Sequence, residues 1–347
     1  MNPSNTDINT ETLAAYLQQH VAGFQGPVTL KKFKGGQSNP TYLLESGHGP
    51  WVLRRQPPGE LLKSAHAVDR EFRVLKALEN TEVPVAQAIH LCEDRSVIGS
   101  MFYLMRFEEG EIFWNPALPE LESAKRPSYY QELVRILAAI HSVNLNAVGL
   151  GDYGKPGNYF ERQIAVWTKQ YQSSQTEELP GMAALMAWLP AQCPAEDGQL
   201  SLVHGDYRLD NIMFKTGQPQ GQAVLDWELS TLGHPMADLA YFCMCLRLPA
   251  SGFIPGLAGQ NRGTLNIPSE SELVAHYCAL RRIDAPKHWP FYLAFSFFRL
   301  AAIAQGVLKR ALSGNAASEK ALEVGRMTEP LAQMALAVID ETHTQQI

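Results

Sequence analysis

The apolar periodicity of this chain shifts near residue 108 from mostly strand-like to mostly helical, and that shift restricts the folds open to it. Ahead of it, the runs GPVTLKKF, TYLLES, WVLRRQ, QAIHLCE and MFYLMRF are short, rich in β-branched and aromatic residues, and read as strands. Two helical runs sit among them. ETLAAYLQQHVAGF is amphipathic, and SAHAVDREFRVLKALEN opens on Ser64 as an N-cap and carries Val68, Phe72, Leu75 and Leu78 on one face. The next segment, EEGEIFWNPALPELESAKRP, is rich in Pro and acidic residues and reads as a connection. Helical periodicity then dominates: YYQELVRILAAIHSV, NYFERQIAVWTKQY, MAALMAWL, PMADLAYFCMCL, ELVAHYCALRR and FYLAFSFFRLAAIAQGVLKRAL. One hairpin interrupts it, NIMFK and QAVLDW joined by TGQPQG. The class expected is α+β, with a mixed first part and a larger, mainly helical second part.

At 347 residues the chain exceeds what a single core usually holds, roughly 250–300 residues, so two domains or lobes are expected. A net charge of -6 without any Lys/Arg block gives no electrostatic reason to bind nucleic acid or an anionic membrane, and suits a cationic or neutral substrate. No run reads as a leader peptide or reaches the ~18 apolar residues of a membrane span, so a cytoplasmic location is expected. The five cysteines are odd in number and lack CxxC spacing, which predicts reduced packing residues.

The stretch LVHGDYRLDNIMF, Leu202 to Phe214, places one His, one Arg, two Asp and one Asn between two apolar runs. Asn211 follows Asp206 by five residues, and Asp226 ends the second hairpin strand fifteen residues later. Phosphoryl transfer from ATP needs a carboxylate near the attacking hydroxyl and oxygen ligands for magnesium bridging the phosphates. The spacing matches the kinase catalytic loop H-x-D-x-x-x-x-N followed by a metal-binding Asp. A bare HGD is only a turn; the register of Asn211, Asp226 and Asp238 makes it a candidate for catalysis. Asp238 falls in an apolar helical run, where an unpaired carboxylate would be costly. Upstream, strand alternation in WVLRRQ puts Val52 and Arg54 on one face, and Glu71 lies inside the apolar stripe of the following helix. Arg54 is its candidate partner; an exposed pair would contribute only about 0–1 kcal/mol.

Together, HGDYRLDN, VLDWELSTLGHPMADLAY, FKGGQSNPTYLL, VLRRQPPGELLKSAHAVDREF and GDYGKPGNYFERQIAVW resemble the aminoglycoside phosphotransferase family of kinase-like enzymes. Within it, the nearest branch is that of the kinase-like domain fused to acyl-CoA dehydrogenases in some animals. The resemblance runs from about Phe33 to about Leu246. It implies a bilobal protein-kinase-like fold: an N-terminal nucleotide-binding lobe, 1–108, of antiparallel sheet plus helix with a leading helix, and a helical catalytic and substrate lobe, 109–347. It implies ATP and Mg2+ as cofactors and the hydroxyl of a small molecule as acceptor: an aminoglycoside, a choline-like amino alcohol, a sugar or, for the nearest branch, a hydroxyacyl-CoA.

Carried onto this sequence, Asp206 is the catalytic base or hydroxyl-orienting carboxylate, Asn211 and Asp226 hold magnesium, and Asp238 ties down the catalytic loop. Arg54 stands where the family usually has Lys, a substitution that alters geometry while keeping a bidentate phosphate-binding group. GGQSN has two adjacent glycines instead of GxGxxG, so phosphate cover falls to the N–H groups of Gly35, Gly36, Gln37 and Ser38. In FYLMRFEEGE, the carbonyl of Arg106 and the N–H of Glu108 are expected to face the adenine edge.

The Arg54 substitution and the reduced glycine loop also suit a second function, a catalytically weak nucleotide-binding regulatory protein of the same fold. A metal-dependent phosphoesterase is a third, weakened because two-metal sites need several His and carboxylates and no D-x-H or G-H-x-H motif is present. His204 is read as a loop-supporting residue, Glu228 as either a second-metal aid or a solvated carboxylate, and Arg208 and Asp210 as binding substrate or each other.

Overall fold

The structure, a computed structural model, describes residues 8–33, 39–47, 49–57, 66–155, 157–313 and 319–344. It falls into two compact units, the first made of Met1–Ile112, Asn144–Leu150 and Asn211–Ser230, the second of the remainder. Compared with the expected division at 108/109, the leading segment of the first unit runs on to Ile112, and two later segments return to that unit.

In the first unit, helix α1, Thr10–His20, starts where the Asn9 side chain accepts hydrogen bonds from the N–H groups of Glu11 and Thr12, both 3.0 Å. Strands β1 (Thr29–Lys32), β2 (Thr41–Ser46), β3 (Gly49–Arg55), β4 (Ala88–Cys92) and β5 (Phe102–Arg106) form one antiparallel sheet in the order β1-β2-β3-β5-β4. Leu13 and Leu17 of α1 pack with Tyr42, Leu44, Leu53, Phe102 and Leu104 of the sheet. The central β3 sets Arg54 between Thr41 of β2 and Tyr103 of β5.

Helix α2, Val68–Leu78, begins after Ala67 with no side-chain cap; the expected cap, Ser64, lies outside the described residues. Its buried side is Val68, Glu71, Val74, Leu75 and Leu78, whose spacings of three and four residues share a face. Phe72 flanks that face and is only half-buried, so Val74 takes the place expected for it. Strand β6, Glu111–Ile112, pairs with the returning hairpin of Ile212–Phe214 and Gly221–Val224. Gly110 allows this approach, because a Cβ there would meet the Phe214 carbonyl and the Met213 side chain.

The second unit is built from α3 (Arg126–Ser142), α4 (Tyr159–Ser174), α5 (Pro180–Ala191), α6 (Met236–Arg247), α7 (Arg262–Leu265), α8 (Glu270–Arg281), α9 (Trp289–Leu312), α10 (Glu319–Arg326) and α11 (Thr328–Thr344). A two-stranded antiparallel ribbon pairs Ser201–Val203 with Thr231–Gly233. Against the expectation that no run could span a bilayer, α9 is long and apolar enough by composition, but 78% of its most apolar window is buried inside the protein. It packs against α4, α6, α10 and α11 as a core helix, and its polar Gln305 is satisfied by the Ser174 carbonyl at 2.9 Å. All five cysteines are free, and four are buried, as expected of packing residues.

Candidate active site

The first unit concentrates its buried charge around Arg54. Its Nε lies 2.7 Å from Glu71 Oε2, and its Nη2 lies 2.6 Å from Asp226 Oδ1 and 3.7 Å from Glu228 Oε2. Glu71 also accepts hydrogen bonds from Asn39 Nδ2 at 2.7 Å and from the Tyr103 hydroxyl at 3.1 Å. Burial alone would lower the Arg54 guanidinium, but Glu71 above all, with Asp226 and Glu228, holds it above its ordinary value. The Arg54–Glu71 pair is therefore buried, as the stripe position of Glu71 predicted, and Glu228 joins the same cluster.

Asp226 follows the hairpin in left-handed backbone, φ 62 and ψ 63, a conformation Asp tolerates better than most residues. The preceding N–H, that of Leu225, donates to the Asn211 carbonyl at 2.8 Å, which sets the two expected metal ligands on adjoining backbone. Among the described residues no group of three or more His, Cys, Asp or Glu side chains could by itself hold a metal. An Asn oxygen and an Asp carboxylate are hard donors that suit magnesium, which takes one or two protein ligands and completes its shell with phosphates and water.

The second unit holds Asp206. Gly205 has φ 86, which its missing side chain permits, and the loop it turns is pinned from α6. Asp238, 1% exposed, accepts from the N–H of His204 at 2.6 Å and of Gly205 at 2.8 Å, while His141 Nε2 lies 3.2 Å away. Burial would raise the Asp238 carboxyl; His141 and the loop donors more than offset it and hold it below the ordinary range. His141 Nδ1 in turn meets the Tyr277 hydroxyl at 2.6 Å. The Asp206 N–H donates to His204 Nδ1 at 3.2 Å, and the Tyr207 hydroxyl donates to the Leu133 carbonyl at 2.6 Å. Arg208 pairs with both neighbours, Asp206 at 3.5 Å and Asp210 at 3.1 Å.

Among the other expected residues, Gly35, Gly36, Gln37 and Ser38 lie outside the described residues. Arg106 closes β5 and is held to Gln87, its N–H to the Gln87 carbonyl at 2.9 Å and its Nε to Gln87 Oε1 at 2.6 Å. Glu108, just beyond, accepts from Gln222 Nε2 at 2.6 Å. Sequence reasoning missed Asn39 and Tyr103 in the first unit and His141 and Tyr277 in the second. None of the four left a trace in the sequence; Tyr103 comes opposite Arg54 only through the register of the sheet.

A kinase-like phosphotransferase fold accounts for this architecture, and comparison with known proteins gives the family. The model of the phosphotransferase enzyme family, APH, matches residues 29–267, and this chain belongs to that family. A crystal structure from Ralstonia eutropha, described as that of a candidate aminoglycoside phosphotransferase, is 47% identical and superposes with a TM-score of 0.89 over 96% of this chain and 99% of its own. The choline kinase of Cryptosporidium parvum shares the fold, with a TM-score of 0.63, 11% identity and 97% of each chain covered. Acyl-CoA dehydrogenase family member 10 of Mus musculus is 47% identical over 89% of this chain and 29% of its own length. Family member 11 of Homo sapiens is 41% identical over 96% and 43%. The chain thus spans less than half the length of these two curated relatives.

Proposed function

We propose that this chain is an ATP- and Mg2+-dependent phosphotransferase acting on a hydroxyl group of a small molecule. The observation that carries the reading is the buried guanidinium of Arg54, fixed by Glu71 and reaching Asp226 at 2.6 Å, the ion-pair arrangement that orients nucleotide phosphates in kinase-like enzymes. Asn211 and Asp226 would hold magnesium, which supplies neutralisation of phosphate charge when bound. Arg54 supplies a second, fixed positive charge for the phosphates. Asp206 orients the acceptor hydroxyl and takes its proton. The alcohol oxygen bonds to the γ-phosphorus, the bond from that phosphorus to the β–γ bridging oxygen breaks, and ADP leaves. Asp238 acts only through the loop, by holding two of its N–H groups. Phosphate cover by Gly35, Gly36, Gln37 and Ser38, and adenine recognition by Arg106 and Glu108, belong to the same reading.

A solved relative of the fold binds AMP-PNP and hygromycin B, which supports a nucleotide with a hydroxylated partner. That likeness lends no support to the hydroxyacyl-CoA expected of the nearest branch. One observation favours the alternative of a weak nucleotide-binding regulator: Arg54 already neutralises one oxygen of Asp226. The deciding experiment measures ADP release by wild type and Asp206→Ala across a panel of hydroxylated metabolites. Transfer lost by at least about a hundredfold in the variant, with nucleotide affinity retained, supports the phosphotransferase. Equal turnover in the variant removes Asp206 from the chemistry, and nucleotide binding with no transfer from wild type favours the regulator.

A further inference from the structure

Trp114, two residues beyond β6, is the most exposed large apolar side chain among the described residues, at 67%. A single exposed aromatic side chain needs no explanation by itself; the way this one is held and where it stands supply one. Phe113 before it is buried edge-on against Tyr129, with ring centres 5.4 Å apart. After it, the Asn115 carbonyl accepts from the Leu118 N–H at 2.9 Å, and the Pro116 carbonyl accepts from the buried Tyr130 hydroxyl at 2.5 Å. The indole is thus presented from a turn fixed on both sides, so a ligand laid on it costs little ordering of the chain.

The turn stands beside the loop that carries Asp206. Trp114 borders a narrow crevice together with Arg208, Leu209 and Asp210 of that loop, Leu246 of α6, and Ile254. Arg208 connects the crevice to the chemistry, with its Nε 3.5 Å from Asp206 Oδ1 and its Nη2 3.1 Å from Asp210 Oδ2. The crevice holds 20 Å3, room for about one methyl-sized group and none for a sugar ring. Both carboxylates near it are paired with Arg208, so it offers little counter-charge to an ammonium group. Ile254 also borders a second crevice, of 110 Å3, whose other walls include Leu248, Phe253, Leu300 and Val307, so the apolar surroundings continue past it. The largest cavity of the second unit, 740 Å3, is bordered by Asn158, Asp197 and Lys287 but by no residue from 204 to 210. Its size alone does not bring it to the chemistry.

We propose that Trp114 contacts the acceptor and selects an alcohol whose carbon skeleton is apolar beside the hydroxyl. The proposal rests on the phosphotransferase reading above and assigns Trp114 to specificity, with proton transfer left to Asp206. The hydroxyl lies toward Asp206, an apolar group beside it enters the crevice, and the indole face covers the carbon chain. Of the cationic or neutral acceptors that a net charge of -6 suits, this arrangement takes the neutral ones, and among those it disfavours polyols, whose hydroxyl groups would lose water without gaining partners.

The test uses the full chain and two six-carbon acceptors that differ in polarity, 1-hexanol and sorbitol. Of the six tryptophans only Trp114 is exposed, so acrylamide quenching of indole fluorescence, with Mg-ADP present, reads it directly. ADP release with Mg-ATP is measured separately. We expect 1-hexanol to shield the wild-type indole at concentrations at least about tenfold below those sorbitol requires, and the shielding to vanish in Trp114→Phe. Trp114→Ala should raise KM for 1-hexanol about tenfold or more, with a smaller change in kcat, and Trp114→Phe should raise it less. Unfolding midpoints show that both variants are folded. Shielding that is absent, equal for sorbitol, or retained in Trp114→Phe overturns the proposal. Shielding of Trp114 by 1-hexanol without ADP release would sustain the contact while removing the phosphotransferase reading. ADP release with a KM indifferent to Trp114→Ala would do the reverse.

Discussion

Glu71 shows why some site residues are legible one at a time and others are not. A carboxylate inside an apolar helical stripe announces a buried partner, and Arg54, on an alternating strand upstream, was the cation available. Asn39 and Tyr103 gave no such sign, because each meets Glu71 from 32 positions away in sequence and neither residue type is unusual in a turn or a strand. The four-residue cluster makes a definite prediction. Glu71→Ala leaves the Arg54 guanidinium, the Asn39 amide and the Tyr103 hydroxyl without their shared acceptor, and should cost about 3–5 kcal/mol of unfolding free energy. Glu71→Gln, which keeps an oxygen acceptor, should cost less. Denaturant titration of both variants checks the order, and a smaller loss in Ala than in Gln would contradict a buried ion pair. Asp238 was legible for the same reason as Glu71, but its partner His141, and Tyr277 behind that ring, were not, since they come from helices 97 and 39 residues distant from Asp238.

At the scale of elements, long periodic segments and the NIMFK–QAVLDW hairpin were readable, and the ribbon strand Thr231–Gly233 was not. TYLLES became β2 residue for residue, and α3, α4, α6, α8 and α9 lie within a few residues of their expected spans. Thr231–Gly233 is too short to show a period of two, and its pairing with Ser201–Val203 is set by tertiary packing. Likewise β6 has only two residues and lay hidden in a segment read as a connection. Its contact with the hairpin predicts a strong local constraint at Gly110. Gly110→Ala would push a methyl group against the Phe214 backbone, which cannot swing aside as a side chain can. The expected loss is about 1–3 kcal/mol, read as a lowered thermal midpoint. An unchanged midpoint would mean that β6 separates from the hairpin at little cost.

For the molecule as a whole, buried and half-buried histidines set the response to acid. Burial lowers the pKa of His141, His234 and His90 below the ordinary value. In the unfolded chain each takes up a proton near pH 6.5, while the folded state resists doing so. Their contribution to stability is complete above that pH and is lost as pH falls through the lowered folded-state values. Asp238, also lowered, acts in the same sense at lower pH: its contribution is present above about pH 3.9 and disappears on further acidification. The denaturant midpoint should therefore hold steady from pH 8 to 7 and drop from pH 6.5 to 5, and His141→Gln should flatten part of the drop. A midpoint that rises on acidification would show that these rings are charged in the fold. The same scale exposes an order of events. Strand β6 is made early, but its partner hairpin and the Asp226–Glu228 segment that meets Arg54 come about a hundred residues later. During synthesis the first unit therefore lacks part of its cluster until the ribosome has passed Ser230: Glu71 can meet Arg54, Asn39 and Tyr103, while Asp226 and Glu228 are still to come. A nascent chain cut short before Asn211 would carry the buried cation of the site without the carboxylate that later meets it.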